Sequence, residues 1–459
     1  MNAPAQMKRK SRPREHQVSA ARSAAFEILR RVEEEGAYAA PLLATATGEL
    51  RSEDRALCYE LVLGTLRWQL WLDCLINHYA NRSADSLDPP IRRALRLGLY
   101  QMRLLARVPV SAAINESVNL AHAARLQSAT GFINAVLRRA TREPEYDPAE
   151  GITREAERIA VRTSHPLWMI ERWLAAFGAD ETEAFAQANN QTPPKAFRIN
   201  TLRAEAAEVT GRLNQTGVVV QPSRVAPDAW RVEGAGRAEL LRSLAAEGVV
   251  YMQDEASQLV AQVLGAYAGE RILDVCAAPG GKTTHLATLA ADKALVIAGD
   301  IHTHRLRTVR EAAARQKLGS IRAVAYDGKA ALPFAEKSFD RVLVDAPCTG
   351  TGTLRHNPEI RWRISSFDIE ELAARQQRIL VNASQTVRRG GRLVYSTCSV
   401  EREENEAVVA AFLDAHADFR QVPAWPDTAS WLTPSGAVRT WPHKDGVDGF
   451  FMVAFTREN

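Results

Sequence analysis

The stretch Asp274-Val275-Cys276-Ala277-Ala278-Pro279-Gly280-Gly281-Lys282-Thr283-Thr284 decides how this chain is read. An apolar run beginning at Arg271 precedes it and a helical pattern over about 283–291 follows. The stretch therefore predicts a small-residue turn between a buried strand and a helix, where a ligand can approach the backbone closely. Gly281-Lys282-Thr283 resembles the end of a phosphate-binding loop, G-x-x-x-x-G-K-[ST], but that pattern needs its first glycine at the position of Cys276. The small residues are also spread evenly rather than gathered into a phosphate nest. A nucleoside triphosphatase is disfavoured.

Outward from the turn, strand and helix patterns alternate from about 240 onward, which predicts a parallel sheet built from strand–helix–strand units. Strands are expected at Arg271–Val275, Leu295–Gly299, Ile321–Tyr326, Arg341–Val344 and Arg392–Tyr395, with helices at about 283–291, 303–317, 368–388 and 403–415. Arg388-Arg389-Gly390-Gly391 reads as the stop of the longest helix. An apolar strand follows at Phe450–Phe455. Asp300 ends the second strand, where an acidic residue can accept hydrogen bonds from ribose hydroxyls or cap the next helix. Asp327, after the third strand, can contact an adenine amino group or simply make a turn.

Two further segments end strands. In Asp345-Ala346-Pro347-Cys348-Thr349-Gly350-Thr351-Gly352, the carboxylate next to Pro-Cys is suited to accept from the exocyclic amine of a cytosine. In Tyr395-Ser396-Thr397-Cys398-Ser399-Val400, a cysteine at a strand's carboxyl end can be activated as a thiolate. A lone cysteine is more often an inert buried one. Here two flank the same predicted cleft, although the residues alone do not say which of them attacks.

The chain has 459 residues, 46% hydrophobic and 24% charged, which predicts a soluble protein of two or three domains. No apolar run approaches the roughly 20 residues of a membrane span, and the N-terminus lacks the pattern of a signal peptide. A cytoplasmic protein with no membrane partner is expected. The five cysteines, Cys58, Cys74, Cys276, Cys348 and Cys398, are odd in number and widely spread, so neither a disulfide framework nor a metal site is expected. Net charge is +4, and the positive excess lies in residues 1–145, with 21 Lys and Arg against 15 Asp and Glu. That imbalance suggests contact with a polyanion or a solvated helical surface. Residues 1–14 read as a disordered basic tail, and 18–142 as a helical bundle with Arg92, Arg93, Arg96 and Arg103 interleaved on one helix. The segment Glu143–Pro148 reads as a boundary, followed by a smaller mixed region with a strand at Lys195–Asn200. The expected division is 1–14, 15–147, 148–239 and 240–459.

The runs DVCAAPGGKTT, DAPCTGTG and YSTCSVEREEN together resemble the RNA 5-methylcytosine methyltransferases over about 240–459. Residues 355–362, Arg355-His356-Asn357-Pro358-Glu359-Ile360-Arg361-Trp362, are similar to that family's segment after the first cysteine. The helical first third resembles the NusB-like RNA-binding domain, a combination found in the bacterial Sun or Fmu type that modifies 16S ribosomal RNA. The resemblance implies an all-α NusB-like bundle, a small α+β middle region and a C-terminal Rossmann-like α/β methyltransferase domain. It implies S-adenosyl-L-methionine as cofactor, with Cys276, Ala277, Ala278, Pro279, Gly280, Gly281 and Lys282 cradling its methionine part. Asp300 would bind the ribose, Asp327 the adenine, and Asp345 would lie beside sulfonium and cytosine. Cys398 would be the nucleophile and Cys348 would assist product release. The implied partner is 16S ribosomal RNA, free or within a small-subunit assembly intermediate, met by a monomer. Two other readings stand beside this one: an RNA-binding transcription or assembly factor with a vestigial methyltransferase domain, and a DNA cytosine-5 methyltransferase using the Pro-Cys cysteine.

Overall fold

The computed structural model of the protein describes residues 18–233, 239–424 and 431–458, so the basic stretch 1–14 lies outside the described residues. The chain divides into two compact units, Met1–Gly178 with Asn357–Glu359, and Ala179–His356 with Ile360–Asn459. Among the described residues no helix is long and apolar enough to cross a membrane.

The first unit is helical. Its long helices are Ala20–Glu34, Ser52–Arg67, Gln69–Ala80, Pro89–Leu104, Val110–Ala123 and Thr130–Arg142, and Glu155–Thr163 and Leu167–Phe177 also lie in this unit. The apolar stripes read from the sequence meet in one core that includes Ile28, Leu29, Leu61, Leu95, Leu99, Ile133 and Leu137. Pro89 and Pro90 occupy the first turn of their helix, where a missing N–H costs nothing.

The interleaved arginines of that helix turn inward to carboxylates rather than forming a solvent-facing row. Helices Ala20–Glu34, Ser52–Arg67, Gln69–Ala80, Val110–Ala123 and Thr130–Arg142 all pack against Pro89–Leu104, so its polar positions are covered as well as its apolar ones. Arg93 and Arg96 are buried. Arg93 donates to Glu33 and Glu34 at 2.8 Å, and Arg96 holds Asp73 at 2.6 and 2.7 Å and Glu33 at 3.0 Å. Arg103 donates to the Tyr79 hydroxyl and the Tyr146 carbonyl, while Arg92 pairs with Asp85. These cations fasten the bundle together.

In the second unit a small antiparallel sheet comes first. Strands β1 (Lys195–Ile199), β2 (Val219–Pro222), β3 (Ala229–Glu233) and β4 (Val250–Met252) run in the order β2-β3-β1-β4. Phe197, Ile199, Val209, Leu213, Leu241 and Leu244 form its core. The large sheet follows, with β5 (Arg271–Asp274), β6 (Leu295–Asp300), β7 (Ile321–Ala325), β8 (Phe339–Asp345), β9 (Val387–Thr397), β10 (Phe419–Val422), β11 (Val438–Arg439) and β12 (Phe451–Arg457). Its order is β10-β12-β9-β8-β5-β6-β7, with β11 on β12. Five neighbours, β5 to β9, pair in parallel as the alternating pattern requires.

Two expectations change. β12 runs antiparallel to β9 on one side and to β10 on the other, which makes the sheet mixed. Arg388–Gly391 does not close the long helix, which ends at Thr386; the four residues bulge out of β9 opposite Asp340. A glycine pair relieves crowding equally well in a helix stop and in a strand bulge, so local sequence does not separate them. The chain leaves β5 toward β6 and β7 and then returns to β8 on the other side. That reversal opens a crevice beyond the carboxyl ends of β5 and β8, the place where open α/β sheets bind ligands.

Arg96→Ala leaves the largely covered Asp73 without its hydrogen-bonded cation, while Glu33 keeps Arg93. It is expected to lower the stability of the helical unit by about 3 kcal/mol, measured as a shift of the urea midpoint by circular dichroism. The exposed Arg138→Ala should leave that midpoint in place.

Candidate active site

The first wall of the crevice is the turn after β5. Gly280, at φ +106°, takes a left-handed conformation that starts helix Gly281–Leu289. A Cβ at Gly281 would meet the Tyr251 ring at 3.2 Å, so the turn is tight against its own scaffold. Arg198 of β1, fully buried, donates to the Gly281 carbonyl at 3.0 Å and the Thr284 hydroxyl at 2.7 Å. Burial pushes its guanidinium down to about 10. The small sheet is thereby tied to the turn.

Asp274, at the end of β5, is buried, with Oδ2 accepting from the Thr283 hydroxyl at 2.6 Å and Oδ1 meeting no hydrogen-bond partner among the described residues. Burial, reinforced by the Asp345 charge, pushes its carboxyl up to about 7. Cys276 is likewise raised by burial and then by Asp274, Asp345 and Asp300. Asp300 does two things: it accepts from His302 N at 2.8 Å at the start of helix Thr303–Arg315, and it pairs with Arg305 at 3.3 Å. Its helix-starting role is therefore present, and its strand-end position suits a ribose contact as well. Asp327 accepts from Lys329 N at 2.9 Å in a turn.

The second wall is made by β8 and β9. Their parallel register places Asp345 beside Ser396, and both strands end there. Ser396 donates to Asp345 Oδ1 at 2.8 Å, and Lys282 Nζ reaches Asp345 Oδ2 at 2.7 Å. Burial would lower the Lys282 ammonium, but the Asp345 carboxylate outweighs it and holds its pKa above the ordinary value. Phe450 offers its ring face to the same ammonium at 5.2 Å.

Just past these strand ends, Cys348 Sγ and Cys398 Sγ stand 3.3 Å apart, both half-buried. The hydrogen bond to Cys398, and then burial, raise the Cys348 thiol well above its ordinary value. Cys348 therefore keeps its proton, and the two sulfurs share a hydrogen bond in which either can donate. The two loops meet because Gly352 lacks a side chain. Its N–H donates to the Cys398 carbonyl at 2.9 Å and its carbonyl accepts from Gly449 N at 2.8 Å. A Cβ there would stand 2.0 Å from the Gly449 oxygen.

Sequence reading placed Lys282, Asp345, Cys348 and Cys398 in one cleft, and the geometry brings those four together. It did not foresee that Lys282 pairs with Asp345, nor that Asp254, His356 and Asp448 gather nearby. In that group His356 Nδ1 lies 2.9 Å from Asp448 Oδ2, and Asp448 also accepts from Arg355. Also unforeseen was the buried Glu404 behind the two thiols. Its only sequence signal was a glutamate in an acidic run, which ordinarily reads as a solvated face.

Comparison with known proteins finds three family matches along the chain. Residues 261–456 match the family described as 16S rRNA methyltransferase RsmB/F, residues 19–142 the NusB family, and residues 165–239 the RsmF/B-like ferredoxin-like domain. The chain is 35% identical over 452 residues to the Bacillus subtilis (strain 168) protein named "Probable ribosomal RNA small subunit methyltransferase B", covering 95% of this chain and 98% of that one. It is 36% identical over 433 residues to "Ribosomal RNA small subunit methyltransferase B" of Serratia proteamaculans (strain 568), covering 94% and 97%. The crystal structure of PH0851 superposes with a TM-score of 0.82 at 30% identity, over 96% of this chain and 99% of that one. A helical NusB domain, a ferredoxin-like middle domain and a methyltransferase domain with a mixed sheet thus follow one another along the chain.

The raised Asp274 carboxyl has a measurable consequence. Between its unfolded value of 3.8 and its folded value of about 7, the folded chain holds a proton that the unfolded chain has released. Its contribution to stability therefore falls as pH rises from about 4 to about 7. Asp274→Asn should flatten that part of the profile in urea unfolding of the ligand-free protein. An unchanged slope would place the burial effect elsewhere.

Proposed function

The chain belongs to the 16S rRNA methyltransferase RsmB/F family, and we propose that it transfers a methyl group from S-adenosyl-L-methionine to carbon 5 of a cytosine in 16S ribosomal RNA through a covalent bond between Cys398 and carbon 6. The observation that carries this reading is the thiol pair at 3.3 Å, in which Cys348 keeps its proton, set beside the Lys282–Asp345 pair.

The residues of the crevice fit the cofactor. Cys276 to Lys282 form a tight turn whose glycines leave backbone exposed to a ligand, Asp300 ends β6 where ribose hydroxyls would lie, and Asp327 follows β7 where adenine would lie. The unpartnered Asp274 Oδ1 is a further acceptor behind the turn. When bound, S-adenosyl-L-methionine supplies an electrophilic methyl group. The chain's own residues make the cytosine able to accept it. Carbon 5 is a poor nucleophile until the Cys398 thiolate adds at carbon 6 and leaves an enamine. Asp345 and Lys282 present an acceptor and a cation side by side, suited to the exocyclic amine and to developing charge on the ring. Afterwards the carbon-5 proton leaves and the Cys398–carbon 6 bond breaks, with Cys348 in contact to exchange a proton with the departing sulfur. The base must be unstacked to reach this crevice, so a loop or locally opened RNA is the substrate. We assign the work to a cytoplasmic monomer acting on free RNA or on a small-subunit assembly intermediate.

Cys398→Ala is expected to abolish methyl transfer to RNA with cofactor affinity largely intact, measured by tritium transfer and by calorimetry. Undiminished transfer would remove Cys398 from the chemistry. Cys348→Ala is expected to accumulate a protein–RNA adduct that survives denaturing electrophoresis. Adduct in the Cys398 variant, and none in the Cys348 variant, would reverse the two roles. Bisulfite sequencing of ribosomal RNA from cells with and without the protein reports the modified base, and an unchanged pattern would favour the vestigial RNA-binding reading.

A further inference from the structure

Glu404 lies six residues beyond Cys398, just before helix Glu406–Ala415, and is completely buried. Its carboxylate collects four donors. Oε1 accepts from the Thr349 backbone N–H at 2.9 Å and from Gln376 Nε2 at 2.8 Å. Oε2 accepts from the hydroxyls of Thr349 and Ser399. Thr349 is the residue after Cys348, and Ser399 is the residue after Cys398. One carboxylate thus holds the immediate neighbour of each thiol.

The surroundings repeat this pattern. Gln376 also donates to the carbonyl of Pro347, the residue before Cys348, at 2.9 Å. Tyr395, three residues before Cys398, donates to the Glu404 carbonyl at 2.6 Å and to Gln376 Oε1 at 3.1 Å. Thr349 and Ser399 hydroxyls touch each other at 3.2 Å. Burial raises the Glu404 carboxyl, while the four donors oppose that rise. A buried carboxylate with every donor aimed at it is costly to assemble, and its geometry is stiff once assembled. Neither hydroxyl is needed to fold β8 or β9, whose ladders are already complete through Asp345 and Ser396.

We propose that Glu404 is a positioning residue that sets the separation of Cys348 and Cys398 by holding the residue after each of them on one carboxylate. It acts through Thr349 and Ser399, its own carboxylate being buried behind the two thiols. The proposal rests on the reading of Cys398 as nucleophile and Cys348 as its helper, because only then does their spacing govern turnover. Glu404→Gln keeps the shape but replaces one acceptor oxygen with an N–H group. The Thr349 and Ser399 hydroxyls must then turn and accept from that group, and the charge that draws all four donors inward is lost, so both cysteine loops are held more loosely.

The test uses the full-length protein and two readouts. Without RNA, diamide takes two electrons and two protons from the thiol pair, becoming the hydrazine and leaving a Cys348–Cys398 disulfide. The rate of that closure, followed by peptide mass spectrometry, reports sulfur separation. With RNA, kcat and the KM for S-adenosyl-L-methionine are measured. Glu404→Gln is expected to slow disulfide closure several-fold and to lower kcat by about tenfold or more, with the KM for cofactor unchanged. Glu404→Asp, which keeps the charge, should recover part of both. Wild-type closure and wild-type kcat in Glu404→Gln would overturn the proposal, as would a loss fully accounted for by a smaller amount of folded protein. Should Glu404→Gln fail to fold, Ser399→Ala and Thr349→Val remove one donor from each side. Ser399→Ala should then slow adduct formation and Thr349→Val adduct release, and no effect from either would also overturn it. Wild-type protein that does not methylate cytosine would sink the underlying reading, while the closure rates would still judge Glu404.

Discussion

Two cysteines from different loops touch only because two backbones can run closer together than side chains allow. The hydrogen bond from Gly352 N to the Cys398 carbonyl, continued from Gly449 N to the Gly352 carbonyl, welds three loops at one point. Any side chain at Gly352 would collide with backbone oxygens, which cannot rotate away. The parallel register of β8 and β9 brings the strand ends level, and this weld then fixes the loops beyond them. Everything chemical in the crevice, from the Lys282–Asp345 pair to the thiol contact, presupposes that the weld holds.

Around it the protein uses buried charge generously. Asp274, Asp345, Lys282, Glu404 and Arg198 all lie wholly or mostly out of water within a single unit. Such groups add little net stability, since desolvation offsets much of the attraction. What they do add is a single arrangement: each carboxylate or cation is satisfied in one geometry and poorly in others. Precision in the placing of two touching sulfurs requires that kind of determinacy more than it requires strength.

Much of this was legible in the chain. Apolar periodicity gave the bundle and the parallel strands within a few residues, because both elements bury a regular face. Small residues between strand and helix gave the turn at 276–282, since backbone approach needs them. Cys348, Cys398 and Asp345 stood out because each follows a strand. Other features were invisible for a common reason: their partners are remote in sequence. Arg93 and Arg96 look like solvent-facing cations until Glu33 and Asp73 are known to face them. Glu404 looks like one more acid among Glu401, Glu403 and Glu406 until Thr349 and Gln376 arrive from 55 and 28 residues away. Gly390 and Gly391 mark a break in regular backbone without saying whether a helix ends or a strand bulges.

Arg198 carries a different implication. A strand of the ferredoxin-like domain reaches into the methyltransferase domain and is held there by a carbonyl and a hydroxyl of the helix that follows the turn after β5. A boundary of that kind resists shuffling. A foreign middle domain grafted here by recombination would arrive without this guanidinium and leave the Gly281 carbonyl and Thr284 hydroxyl without the donor that fixes them. The two domains are therefore heritable only as a pair, and change at this seam must proceed on both sides at once.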